Sequence, residues 1–432
     1  MLVRSRAGTA FAGLTLAAAA LAGPLPGAVH AADAADAAEA ATAPSPAAAA
    51  PAAASPSGSV VFVRNYNVWI ARADGTVQRP LTSDGSFGNQ WLSPSQADDG
   101  TVVAAHDERI VVMNPAGRVL RRLDPPALTS SVGERLDGTP TDVAISPDGS
   151  LVAYTFALFS CPPAADCDTR SVTAYTRVDE VTDPARFGTT FGDAPGWIGD
   201  HRTVQGGGQI PVVRLHDLGT TGGFEWFRDS QISSPGRELT EPAVSRDGQF
   251  VASIRGWGDH TSVLWSRVNG SASTGRPGVP TPVAETNEEP LSGPAFSADG
   301  AVLAWTTAAG ITYKPEPGDW RVQPVLTIDR GSQPSFSAAR YSVPAPQVVT
   351  RPSISGTAKA GRTLTARPGS WTPGTTSLAY TWLRDGRPVA GARARTYRVG
   401  SRDAGHRISV RVTAKGAGGT TTVTSTAVRV GR

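Results

Sequence analysis

From about Ser59 to Ser342 the apolar positions fall into short runs separated by tight turns, at nearly constant spacing. Val143-Ala144-Ile145-Ser146 passes through Pro147-Asp148-Gly149 into Leu151-Val152-Ala153-Tyr154. Ala243-Val244-Ser245-Arg246-Asp247-Gly248 precedes Val251-Ala252-Ser253-Ile254, and Ala295-Phe296-Ser297-Ala298-Asp299-Gly300 precedes Val302-Leu303-Ala304-Trp305. Asp99-Gly100 before Val102-Val103 is a looser copy, and Trp197-Ile198-Gly199-Asp200 a degenerate one. Asp-Gly favours a hairpin turn, because glycine accepts a positive φ and aspartate tolerates the left-handed region. Each copy therefore predicts a hairpin, and a repeat of about fifty residues is the signature of a propeller or an array.

These copies resemble the TolB-type propeller repeat. Blade one matches its later part, with Val68-Trp69-Ile70 leading to Ala73-Asp74-Gly75 and then Leu81-Thr82-Ser83-Asp84-Gly85. Blade two echoes it at Ile110-Val111-Val112-Met113-Asn114. The resemblance covers about two thirds of the chain and implies a β-propeller fold and protein partners; it does not carry over an activity.

Closure sets the expected count. The first blade begins at Val60-Val61-Phe62-Val63 without an inner strand of its own, while Gln333-Pro334-Ser335-Phe336-Ser337 stands alone after the last repeat. Pairing the two makes six blades and removes the exposed sheet edges. The propeller is expected over residues 58–342.

From about Pro346 the texture changes. Tyr380-Thr381-Trp382-Leu383-Arg384-Asp385-Gly386 supplies a strand and a turn, and Ile408, Val410 and Val412 alternate with polar neighbours, as one buried face requires. Residues 346–432 resemble a bacterial immunoglobulin-like module with Trp382 as its core tryptophan. The fold class expected is all-β, a six-bladed β-propeller followed by a small Ig-like β-sandwich.

Before the repeats lie two further segments. Arg4 and Arg6, the apolar stretch Phe11 to Gly23, and Val29-His30-Ala31 read as a cleavable signal peptide over residues 1–31. Residues 32–57 are almost entirely Ala, Pro, Ser and Thr and are expected to form a disordered linker. No later run is long enough for a transmembrane segment, so a secreted, extracellular or cell-surface location is expected. Cys161 and Cys167, six residues apart in such a chain, predict a local disulfide. The high alanine content and only three lysines, Lys314, Lys359 and Lys415, fit an actinobacterial genome.

Charge divides the chain. From Ala345 to Arg432 there are fifteen Lys and Arg against Asp385 and Asp403, a net charge of +13, whereas the remainder of the mature chain is acidic. The basic module suggests attachment to an anionic cell-wall polymer, or a spacer. Its strand Arg407-Ser409-Arg411-Thr413 is expected to turn those four side chains outward.

No nucleophile elbow, metal-binding helix or phosphate-binding loop is present, and no cofactor, metal site or nucleic-acid partner is expected. The candidate binding residues are polar side chains in loops on one propeller face: His106, Asp107 and Glu108 in blade two; Trp257, Asp259 and His260 in blade five; and Glu285, Glu288 and Glu289 between blades five and six. The function expected is a non-catalytic binding protein of the cell envelope or its exterior, recognising a protein or glycan ligand at the propeller face. The alternative is an extracellular propeller hydrolase or lyase acting on polysaccharide or peptide.

Overall fold

The computed structural model describes residues 56–160, 168–206, 212–220, 222–228, 239–257, 260–270, 274–286 and 289–431, apart from the side chains of Ser160, Asp168 and Trp257. The signal-peptide and most of the linker residues, both cysteines, Asp259 and Glu288 lie outside them.

Each repeat builds an antiparallel sheet whose first strand is innermost. The inner strands are Leu92–Gln96, Asp142–Ile145, Asp193–Ile198, Leu239–Val244, Ser292–Phe296 and Ser332–Ser337. Each packs beside the next, and Ser332–Ser337 packs beside Leu92–Gln96, so the series returns on itself. The last inner strand pairs not with its predecessor in sequence but with Ser59–Arg64, with Val60 opposite Phe336 and Val61 opposite Ser335. It completes the four-stranded sheet that continues through Asn67–Arg72 and Arg79–Pro80. The protein is thus a β-propeller.

The recurring Ser-x-Asp-Gly turn has a local cause. In blade three the Ser146 hydroxyl donates to Asp148 at 2.6 Å and accepts the Leu151 N–H at 3.0 Å, while Asp148 also accepts the Ser150 N–H. The same arrangement recurs at Ser245, Asp247 and Phe250, and at Ser297, Asp299 and Val302. Gly149 completes the turn at φ 77°, where a side chain would be strained.

Apolar clusters fill the spaces between blades. Val61, Ile70, Trp91, Val102 and Met113 join blades one and two, and Val60, Phe62, Ile311, Tyr313 and Ile328 join blades six and one. Blades three and four meet instead through Tyr175, whose hydroxyl lies 2.6 Å from Thr203 Oγ1 and accepts from Gln205 at 2.9 Å.

The C-terminal residues form a sheet of Ser353–Ser355, Thr363–Arg367 and Thr396–Arg398 and a second built on Thr375–Arg384, Arg407–Gly416 and Gly419–Thr424. They share one core around Trp382, Leu364, Val399, Ile408, Val410 and Val412. The Trp382 indole donates to the Ala394 carbonyl at 2.9 Å and stacks on Tyr397. The module's two acidic residues are both structural. Asp403 accepts from the Tyr397 hydroxyl and the Gly400 N–H, and Asp385 accepts the Arg407 N–H and pairs with His406. The outward row holds for Arg407, while Arg411 and Thr413 are half-buried and Ser409 is buried. The strand is flanked on both sides, so its neighbours cover the middle of that row.

Candidate functional site

The six inner strands enclose a central channel of about 420 Å³. Five of them carry proline in the same place: Pro94, Pro195, Pro242, Pro294 and Pro334. Proline is tolerated there because an inner strand is the free edge of its sheet and needs no ladder donor on that side. The residue ahead of each proline is left-handed: Ser93 (φ 47°), Ala194 (45°), Glu241 (48°), Gly293 (58°) and Gln333 (54°). The pairing register shifts at each of these positions, as in a β-bulge. Blade three departs, with Asp142-Val143 in an unshifted ladder.

These bulges bring together side chains from blades far apart in sequence. Gln333 Oε1 accepts the Ser93 N–H at 2.8 Å, Glu241 accepts the Gly293 N–H, and Asp142 accepts the Ala194 N–H. Blades one, three and five therefore each supply an acceptor to the backbone of the blade that follows. Burial drives the Glu241 carboxyl up to about 7; the Gly293 N–H opposes this, and the charges of Asp142 and Asp193 add to it. Burial also raises Asp142, against hydrogen bonds from Thr141 and Ala194. Both retain some surface on the channel and are otherwise enclosed by protein. At the turn end of the channel, Arg246 of blade five reaches Asp98 of blade two, placing an ion pair between blades three positions apart in the ring.

The residues singled out from the sequence do not converge. His106 ends the strand Val102–His106 and is 2% exposed, not a solvated loop tip; its ring stacks on Trp91 at 4.1 Å and 9°. Its Nδ1 lies 3.2 Å from Asp107 but outside hydrogen-bonding geometry. Asp107 and Glu108 form the two-residue turn, both left-handed, with Arg109, Arg122 and Asp124 around a shallow recess. Trp257 and His260 face each other in the hairpin register of blade five. Glu285 is exposed on the fourth strand of that blade, and Glu289 accepts the Ala308 N–H. Asp142, Asp193, Glu241 and Gln333 were not among the sequence candidates. Their signal was present in the sequence: apart from Asp193, which stands one place earlier, each is the residue before the proline, or before Val143, at one position of the repeat.

Burial makes His106 a stability residue. We expect His106→Ala to lower unfolding free energy by about 2–3 kcal/mol through the cavity left against Trp91. Asp107→Asn with Glu108→Gly should change it by less than about 0.5 kcal/mol, since both replacements accept a left-handed turn. Urea denaturation of the three proteins measures the difference.

With 13% identity and a TM-score of 0.41, the chain is similar to the solved structure of a putative TolB from Agrobacterium tumefaciens, over 64% of this chain and 90% of that one. It is also similar to a putative gluconolactonase (13% identity, TM-score 0.33, 62% and 90% covered) and to the tricorn protease (12%, 0.34, 86% and 50%). No family model matches the sequence, and no curated protein is similar to it.

Proposed function

We propose that this chain is a non-catalytic binding protein of the cell envelope or its exterior, a six-bladed propeller that recognises a protein ligand at the channel face. The basic C-terminal module, an Ig-like sandwich in this reading, serves as attachment or spacer. The observation that carries the reading is the state of the channel carboxylates: Glu241 and Asp142 are engaged as acceptors for backbone N–H groups of neighbouring blades. They brace a preformed recess of a size suited to one side chain or a short peptide end. No helix among the described residues is long and apolar enough to cross a membrane.

One observation favours the alternative of a hydrolase or lyase. A carboxyl held at about 7 beside two other carboxylates is poised to donate a proton near neutral pH. One experiment separates the readings. The mature chain is immobilised and exposed to envelope extract and culture medium, and retained material is identified and followed for cleavage. We expect a specific protein, retained intact, whose retention is lost in Ala144→Trp, a change that fills the channel wall where Ala144 is half-exposed. Retention unchanged in Ala144→Trp overturns the channel face as the recognition surface. Cleavage that stops in Glu241→Gln establishes the enzyme.

A further inference from the structure

A second recess lies away from the channel, between blades five and six, on the side of the Asp-Gly turns. Its volume is about 890 Å³, and its walls include Phe250, Trp265, Arg267, Glu316, Trp320 and Arg321. The segment Pro315 to Val322 that forms one wall is held rigidly. Lys314, 3% exposed, donates from Nζ to the carbonyls of Asp319 at 3.0 Å and Val322 at 2.5 Å. Asp319 takes Arg321 in a two-point pair at 2.9 and 2.8 Å. Glu316, at φ 48°, donates its N–H to the Ala301 carbonyl. Gly318 lies so close to the Trp265 ring that a Cβ there would come within 2.9 Å of it.

This fixed loop presents Trp320 with 83% of its surface in solvent. A flexible loop can carry an exposed indole without consequence. Here a buried lysine, a bidentate ion pair and a tight glycine contact hold the loop in one conformation, with its largest apolar group unburied. Opposite it, Trp265 stacks on Phe250 at 5.5 Å, and the Arg267 guanidinium lies 5.3 Å over the Phe250 ring. The Trp265 Nε1 has no hydrogen-bond partner.

We propose that this recess binds a neutral oligosaccharide. A pyranose ring has an apolar C–H face that lies against an indole and hydroxyls around its edge that pair with carboxylates and guanidinium groups. The recess offers both in one place: Trp320 as platform, with Asp319, Arg321, Glu316 and Arg267 at its edge. Its charged groups are two acidic and two basic, so it carries no net field to select an anionic or cationic polymer. It is also small for a protein partner: twelve residues line it, against the roughly 20–30 a side of a stable protein interface. The site is independent of the channel reading.

The test uses the mature full-length chain and tryptophan fluorescence titrations with the hexasaccharides of cellulose, xylan, starch and β-1,3-glucan. A decaproline peptide and inorganic polyphosphate serve as competing probes. At least one neutral hexasaccharide should bind, with an affinity unchanged between about 0.1 and 1 M NaCl because no charge attraction is involved. Trp320→Ala should weaken it about tenfold or more, the loss one aromatic anchor carries, without moving the thermal midpoint. Trp320→Phe should retain part of the affinity, and Ala144→Trp all of it. Absence of binding by every hexasaccharide overturns the proposal, as does binding in their place of decaproline, or of polyphosphate in a manner lost in Trp320→Ala. Equal affinity in Trp320→Ala overturns it as well.

Discussion

A chain ended after Asp329 should lose its cooperative thermal transition, or melt roughly 10 °C or more below the same chain ended after Pro346. The shorter chain lacks Ser332–Ser337, which pairs with Ser59–Arg64 and packs Phe336 on the cluster of Val60, Phe62 and Tyr313. It also loses the Ser337 hydroxyl bond to the Ala97 carbonyl, a buried link between blades one and two, and the Ser59 hydroxyl bond to the Ala339 carbonyl, a buried link within blade one. What remains is an open ring with an unpaired edge at Ser59–Arg64, the circumstance that closed propellers avoid. Several kcal/mol lost in a domain of this size correspond to a shift of about that many degrees. Ending the chain after Pro346 keeps the closing strand and the Arg79 bond to the Ser342 carbonyl. Equal melting of the two truncated chains by differential scanning calorimetry would show that closure contributes little.

Glu241→Gln should stabilise the protein at pH 8 and not at pH 4. The Glu241 pKa rises from 4.5 to about 7 on folding, so the folded state holds its proton more tightly than the unfolded chain does. Below about pH 4.5 both states are protonated and the carboxyl contributes no penalty. As pH rises from 4.5 to 7 the unfolded chain ionises first, and folding stability falls; above 7 the penalty is complete at about 3 kcal/mol. Glutamine keeps an oxygen to accept the Gly293 N–H and removes the charge beside Asp142 and Asp193. Urea midpoints across pH 4 to 9 should therefore diverge between wild type and variant through this window. Parallel curves would mean that the channel mouth is wetter than its enclosure suggests.

Most of the architecture was legible because its causes are local. The Ser-x-Asp-Gly turns close on hydrogen bonds within five residues, so three copies were readable as hairpins one at a time and two looser ones by their spacing. The closing strand was legible through its isolation, since an inner-strand pattern at Gln333 to Ser337 had no following hairpin and Val60 to Val63 had no preceding one. Trp382 was legible as the core of the C-terminal unit through the resemblance to an immunoglobulin-like module, and Ile408, Val410 and Val412 through their alternation with polar neighbours. His106 was misplaced for a local reason too. It was assigned to a polar turn with Asp107 and Glu108, but the strand runs one residue further and Trp91, fifteen residues earlier, covers its ring.

What the sequence determined by itself is the set of strands, their turns and the two-part charge of the chain, because period-two alternation, positive-φ turn residues and net charge depend on neighbours along the chain. The tertiary structure alone decided which side chains meet. Gln333 reaches Ser93 across 240 positions, Glu241 reaches Gly293 across 52, and Arg246 reaches Asp98 across 148. Alternation states which face of a strand is buried, but carries no information about the strand facing it around a ring. The channel therefore sets the ionisation of Glu241 and the opposition of Arg246 to Asp98, and ring closure fixes those distances.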